Sequence, residues 1–90
     1  MMVNKMVQIR KGSNLGGVFI YEEFIDGKVV KVNAKSIRVH MTHVKCTTNG
    51  KLTQEYDIDE TATFTYWRTS GTVDFYKNPK YGIIKIDLDH

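Results

Sequence analysis

Three residues on one short stretch, His40, His43 and Cys46, are of the types that ligate zinc, and they stand three apart. On a helix that spacing would put them on one face. On a strand successive side chains alternate, so His43 would point away from the other two. His40 and Cys46 would share a face but lie about 20 Å apart at ~3.3 Å per residue. Zinc ligands must all lie within roughly 2.0–2.3 Å of the ion. If the stretch is a strand, the triplet is not one site, and neither a metal nor a cofactor is expected.

Acid–base chemistry is the next candidate. A hairpin through this stretch would set His40 opposite Asp59 and near Asp57, an arrangement that orients a ring and raises its pKa. A cross-strand pair on a solvated face is the commoner meaning of that pattern. His43, opposite Tyr56, reads as a partly buried core histidine. No Ser, Thr or Cys is placed beside a His as an activated nucleophile would be, so the chain is not expected to be an enzyme.

Arg10–Gly17 combines two cations with three glycines. Bare backbone N–H groups can cradle anions. The pattern matches neither the P-loop nor the dinucleotide fingerprint, and it reads as a hairpin connection.

The broader signal is charge. Residues 1–54 hold nine Lys/Arg against three Asp/Glu, and residues 55–90 hold four against seven. Opposite charges could pair across neighbouring strands, or the amino-terminal half could present a basic face. The residues for such a face are Arg10, Lys11, Lys28, Lys31, Lys35, Arg38, Lys45 and Lys51. Trp67, Arg68 and Tyr76 would add stacking or contact groups, because small barrels hold single strands in basic grooves with aromatic platforms. Trp67 falls on a threonine-rich face by alternation, where it would be exposed.

The leading expectation is therefore a non-catalytic module that binds single-stranded nucleic acid or another polyanion. The alternative is a protein-binding accessory or inhibitor, such as a mobile-element protein that occupies a host factor. It would act through an exposed edge strand or through anchors at Trp67, Tyr76 and Tyr81. A homodimer through an edge strand belongs to the same class.

The elements that must position these groups are strands. One proline, abundant threonine and many β-branched and aromatic residues favour sheet. The central element is Ser36–Ile58, a hairpin folded at Asn49-Gly50, whose residues best tolerate the positive φ of a type I′ turn. A two-residue loop there sets Thr48 opposite Lys51, Thr47 opposite Leu52, Lys45 opposite Gln54 and Met41 opposite Ile58. Ile37, Val39, Met41 and His43 would then share the inner face with Leu52, Tyr56 and Ile58. Val44 and Cys46 fall on the polar side, so either another strand covers them or a bulge after Met41 turns them inward.

The remaining strands are Val3–Ile9, Val18–Ile25, Lys28–Val32, Thr61–Thr69, Thr72–Tyr76 and Ile83–Leu88. Turns are read at Asp26-Gly27, Asn33–Ser36, Asp59-Glu60 and Ser70-Gly71, and a loop at Lys77–Gly82. Val30, Val32, Ile84, Ile86 and Leu88 would point inward, and Tyr66 would face Phe75. Seven or eight antiparallel strands at this spacing form a meander, either curled into a barrel of SH3-like or OB-like size or packed as a two-layer sandwich. The stretch from Gly27 to Val39, a glycine followed by alternating valines, resembles the tightly bent hairpins of SH3-like and Sm-like small barrels.

Ninety residues suit one domain, 1–90, with a modest core that needs no crosslink. One cysteine excludes an internal disulfide framework and points to a reducing compartment, so a cytoplasmic location is expected. Met1–Ile9 is too polar for a secretory signal, and no run approaches the ~18 apolar residues of a membrane helix. The start at Met1 suits a whole protein.

Overall fold

The computed structural model describes residues 3–15 and 19–87. Within them six antiparallel strands follow one another round a closed barrel: β1 (Met6–Leu15), β2 (Phe19–Val32), β3 (Ser36–Thr48), β4 (Lys51–Ser70), β5 (Val73–Asn78) and β6 (Gly82–Asp87). The all-β meander expected from the sequence forms, and it curls into a barrel instead of stacking as a sandwich. No helix occurs among the described residues, hence none long and apolar enough to cross a membrane.

Two long strands replace four short ones. Asp26-Gly27 does not turn the chain. Gly27 lies inside β2, paired with Val7 on one side and Met41 on the other. A Cβ there would stand 2.7 Å from Val39 Cγ1 and 3.0 Å from the His40 carbonyl oxygen. The glycine thus serves close approach of β3 where the sheet bends, not a hairpin. Asp59-Glu60 likewise stays in strand, with Glu60 paired to Met41.

The central hairpin does fold at Asn49-Gly50, both at positive φ (52° and 83°). Thr48 faces Lys51 and Thr47 faces Leu52, as the turn requires. Two register shifts then follow, at Cys46/Thr47 and at Met41/His43. They bring Lys45 opposite Glu55, His43 opposite Asp57 and Met41 opposite Glu60, in place of Gln54, Tyr56 and Ile58. The second shift is the bulge after Met41. Ile37, Val39 and Met41 are buried before it, and Val44 and Cys46 are buried after it. Leu52, the partner of Thr47, leaves the core as a consequence and is 58% exposed, whereas Tyr56 pairs with buried Val44 and is 42% exposed.

The interior is closed by Val7, Ile9, Ile25, Val29, Phe64, Ile84 and Ile86. Each buried side chain of this size contributes about 1.5–3 kcal/mol against exposure. Because Asp26-Gly27 is not a turn, Val29 continues the inward alternation of Ile25 and Gly27, and Val30 and Val32 are exposed instead of inward, with a register shift between Val29 and Lys31.

The hairpin at residue 71 also differs by one step. Ser70 pairs with Val73, so the loop is Gly71-Thr72 and Phe75 faces Arg68 instead of Tyr66. At the seam, among the described residues, β1 pairs with β6 at Ile9–Ile84 and Arg10–Ile83. Lys11–Leu15 continues β1 along β2 and is not a loop. Gly16, Gly17, Val18 and Leu88 lie outside the described residues. The β5–β6 connection ties the barrel across this end. Asn78 Nδ2 donates to the Thr63 carbonyl at 2.9 Å, Tyr81 Oη to Glu60 at 2.7 Å, and Lys11 Nζ to the Lys80 carbonyl at 3.1 Å.

Candidate nucleic-acid interface

The bulge in β4 creates the principal surface feature. Tyr66 pairs with Tyr76 and Arg68 with Phe75, so Trp67 is the extra residue between them. A bulge breaks strict alternation, and here two consecutive side chains, Trp67 and Arg68, reach the same outer groove. On β5 the parity set by buried Tyr76 sends Phe75 outward. On β6 buried Ile84 and Ile86 send Lys85 outward. On β1 buried Val7 and Ile9 do the same for Gln8 and Arg10. Because β6 closes on β1, these groups line one groove of about 580 Å³ across β4, β5, β6 and β1.

Aromatic rings and cations alternate in it. Trp67 and Phe75 meet edge to face, with centroids 6.2 Å apart. The Arg68 guanidinium lies 4.9 Å from the Trp67 centroid and 5.0 Å from that of Phe75. Lys77 Nζ is 5.0 Å from Trp67, and Lys85 Nζ is 5.9 Å from Phe75. Arg10 stacks over Phe24 and pairs with Glu22. Arg68, Lys77 and Lys85 form no ion pair with a described residue. Their charge is held against ring faces, where about 0.5–2 kcal/mol per contact is available without neutralising the cation.

The residues named from the sequence divide into two groups. Arg10, Trp67 and Arg68 come together in the groove. Lys28, Lys31 and Arg38 sit on β2 and β3, with Lys35 in the turn between them. The β2–β3 ladder is diametrically opposite the β5–β6 ladder in a ring of six, so these cations form a separate basic side. Lys51 stands beside the hairpin turn, Lys45 is 3.9 Å from Glu55, and Lys11 is engaged with the β5–β6 connection. Tyr76 is buried, only 7% exposed, and burial above all pushes its hydroxyl pKa up. It is not a stacking platform; its neighbour Phe75 takes that place. Residue type and strand parity alone do not single out Phe75, Lys77 or Lys85. The Ile84/Ile86 alternation marks Lys85 as outward, but only barrel closure brings it to Arg10. The phosphate-cradle candidate is ladder up to Leu15, its backbone paired with Phe19–Phe24.

The histidines occupy the other outer surface. His40 Nε2 bonds Asp59 Oδ1 at 2.6 Å, although its Cα partner is Thr61. His43 is not a core residue, because the bulge at Thr42 turns it out. Its Nδ1 meets Asp57 at 2.7 Å and its Nε2 meets Glu55 at 2.9 Å. Hydrogen bonding to Glu55, then to Asp57, raises its pKa above the ordinary 6.5. A folded-state pKa above the unfolded value means that this contribution to stability is complete below about pH 6.5. It is lost as pH rises through the folded value. An NMR titration of the ring should give a midpoint above 6.5, and a His43→Gln variant should lose that part of the pH dependence of melting. A ring midpoint at or below 6.5 would sink this account. Cys46 points to the interior, away from both histidines.

Comparison with protein-family models, curated protein sequences and solved structures finds no match.

Proposed function

We propose that the protein is a non-catalytic binding module that holds single-stranded nucleic acid, or a polyanion of similar chemistry, in the groove between Arg10, Trp67, Arg68, Phe75 and Lys85. The observation that carries this reading is that Arg68, Lys77 and Lys85 rest on the exposed ring of Trp67 and the half-buried ring of Phe75 instead of on carboxylates. Phosphates would draw these cations off the rings, and the freed ring faces would take a base. Stacking of that kind is worth about 1–3 kcal/mol per base. The single buried cysteine supports a reducing compartment such as the cytoplasm.

Trp67 is the only tryptophan, so its fluorescence reports this groove alone. Titration with a mixed-sequence single-stranded oligonucleotide should quench it. Three or four phosphate contacts predict a slope of log affinity on log salt of about −2 to −3. Unchanged emission at low salt would refute the proposal.

A second reading rests on a different observation. On the side away from β3, Lys51–Phe64 of β4 has no strand partner among the described residues. That open edge could take a strand from a protein partner. It carries Glu55, Asp57, Asp59 and Glu60, which oppose pairing with a second copy and suit a basic segment. Such binding would leave Trp67 emission unchanged.

A further inference from the structure

Beside the β5–β6 connection lies a second cavity, of about 190 Å³, that shares no residue with the groove. Its floor is apolar: Ile25 of β2, Val44 of β3 and Ile58 of β4. Its walls are two carboxylates, Glu23 and Glu60, and two tyrosines, Tyr56 and Tyr81. The carboxylates are fixed by hydroxyl groups, not by cations. Tyr21 donates to Glu23 at 3.1 Å and Tyr81 donates to Glu60 at 2.7 Å. Neither carboxylate forms an ion pair with a described residue. The Tyr56 hydroxyl is pushed to higher pKa by burial first, then by Cys46, Glu23 and Glu60, so both carboxylates act on one spot. At the rim the ammonium of Lys80 already stands 5.2 Å from the Tyr81 ring centroid. The cavity thus shows one cation–π contact made by the chain itself, and two carboxylates against that single positive charge.

Aromatic faces, fixed carboxylates and a greasy floor do not suit a hydrated metal ion, which would lose its water against Ile25, Val44 and Ile58. They suit an ammonium whose substituents are alkyl groups, which accepts apolar contact and keeps a positive charge for the rings and carboxylates. The volume is below the roughly 300–1,000 Å³ of drug-sized pockets, so only a head group fits. We infer that this cavity binds a small organic ammonium ion, with its alkyl groups on the apolar floor and its charge between Glu23 and Glu60, against Tyr56 and Tyr81. Lys80 competes for the Tyr81 ring.

The test is an amide-shift titration of the intact protein with choline and with 3,3-dimethylbutan-1-ol, its uncharged counterpart of the same shape. Choline should shift Glu23, Val44 and Tyr81 and saturate on the order of 1 mM, as befits so small a ligand. The alcohol should bind at least tenfold more weakly. Glu23→Gln and Glu60→Gln keep the side-chain shape and should each weaken choline severalfold, with unchanged melting showing that the fold is intact. Lys80→Gln should strengthen it severalfold. Choline and the alcohol binding alike would reduce the site to an apolar hole and overturn the inference, as would an absence of shifts. A small free quaternary ammonium compound and a trimethylated lysine side chain share this head group. N-acetyl-trimethyllysine amide binding more tightly than choline would assign the site to a protein tail, and equal binding to the free small ammonium compound. Trp67 emission should not respond to choline, so this inference and the polyanion reading fail separately.

Discussion

Gly82→Ala should lower stability by about 3 kcal/mol and open the barrel at its seam. Gly82 has φ of +122°, where an L side chain is strained whatever the space around it. Strain of this kind costs on the order of 1–3 kcal/mol. The space is also absent. A Cβ would lie 2.5 Å from the Arg10 carbonyl oxygen and 2.9 Å from its carbon. Both are backbone atoms, which cannot swing aside as a side-chain tip can. Relief must come from β6 moving off β1, where the described ladder is the two pairs Ile9–Ile84 and Arg10–Ile83. For a domain of this size about 3 kcal/mol corresponds to roughly 12–24 °C in melting temperature. Gly71→Ala is the control: its φ is +61° and nothing lies within 4 Å of a Cβ there. It should cost only about 1–2 kcal/mol. Equal melting of the two variants would show that the seam is not held at Gly82. Hydrogen exchange should separate them further, with faster exchange at Ile9 and Ile84 only in Gly82→Ala.

Reversal of charge at Arg68 and Lys85 together should weaken oligonucleotide binding by a hundredfold or more at low salt. Each change removes a cation proposed to meet phosphate and puts a repulsive charge in its place. The salt slope should therefore also flatten, by about 0.7 for each phosphate that is no longer neutralised. Arg68→Glu removes one cation from each of Trp67 and Phe75, leaving Lys77 and Lys85 on them, whereas Lys85→Glu removes one from Phe75 alone, so the first should be the larger single effect. Lys31→Glu with Arg38→Glu carries the same change of net charge on the opposite side of the barrel. If the groove is the site, that pair should cost only a few fold through the long-range field. A larger effect from Lys31 and Arg38 than from Arg68 and Lys85 would move the site to the β2–β3 side. Melting curves for all variants guard against loss of fold, since every one of these side chains is exposed.

How far the site is legible in the chain follows from where the alternation breaks. Residue type points to Arg10, Trp67 and Arg68, and strand parity sends Trp67 outward, but it takes the bulge at Trp67 to bring Arg68 to the same groove. Phe75 is hidden because the Ser70-Gly71 turn signal sits one residue before the actual loop, which sends the partner of Arg68 to the wrong position. Lys28, Lys31, Lys35 and Arg38 cluster in sequence more densely than the groove residues do, yet no ring of a described residue stacks on them. The second-cavity residues Glu23, Tyr56 and Glu60 are unreadable as a group. Simple alternation assigns Glu60 to a corner and Tyr56 to the core, and the bulge at Thr42 then moves the register.

Local chemistry alone determined the strand class, the Asn49-Gly50 hairpin, the meander and the inward march of Ile37, Val39 and Met41. Backbone propensity, turn dihedrals and period-two alternation act within a few residues, so they are written in the chain. Tertiary structure decided the rest. Gly27 became a point of close approach instead of a turn because β1 and β3 pair with it from both sides. The bulges at Thr42 and Trp67 arose because bent strands must lose or gain a residue to stay paired round a ring. The meeting of Arg10 with Lys85 and Arg68 required β6 to close on β1. That contact joins residues far apart in sequence and depends on the summed twist of all six strands, which no single segment encodes.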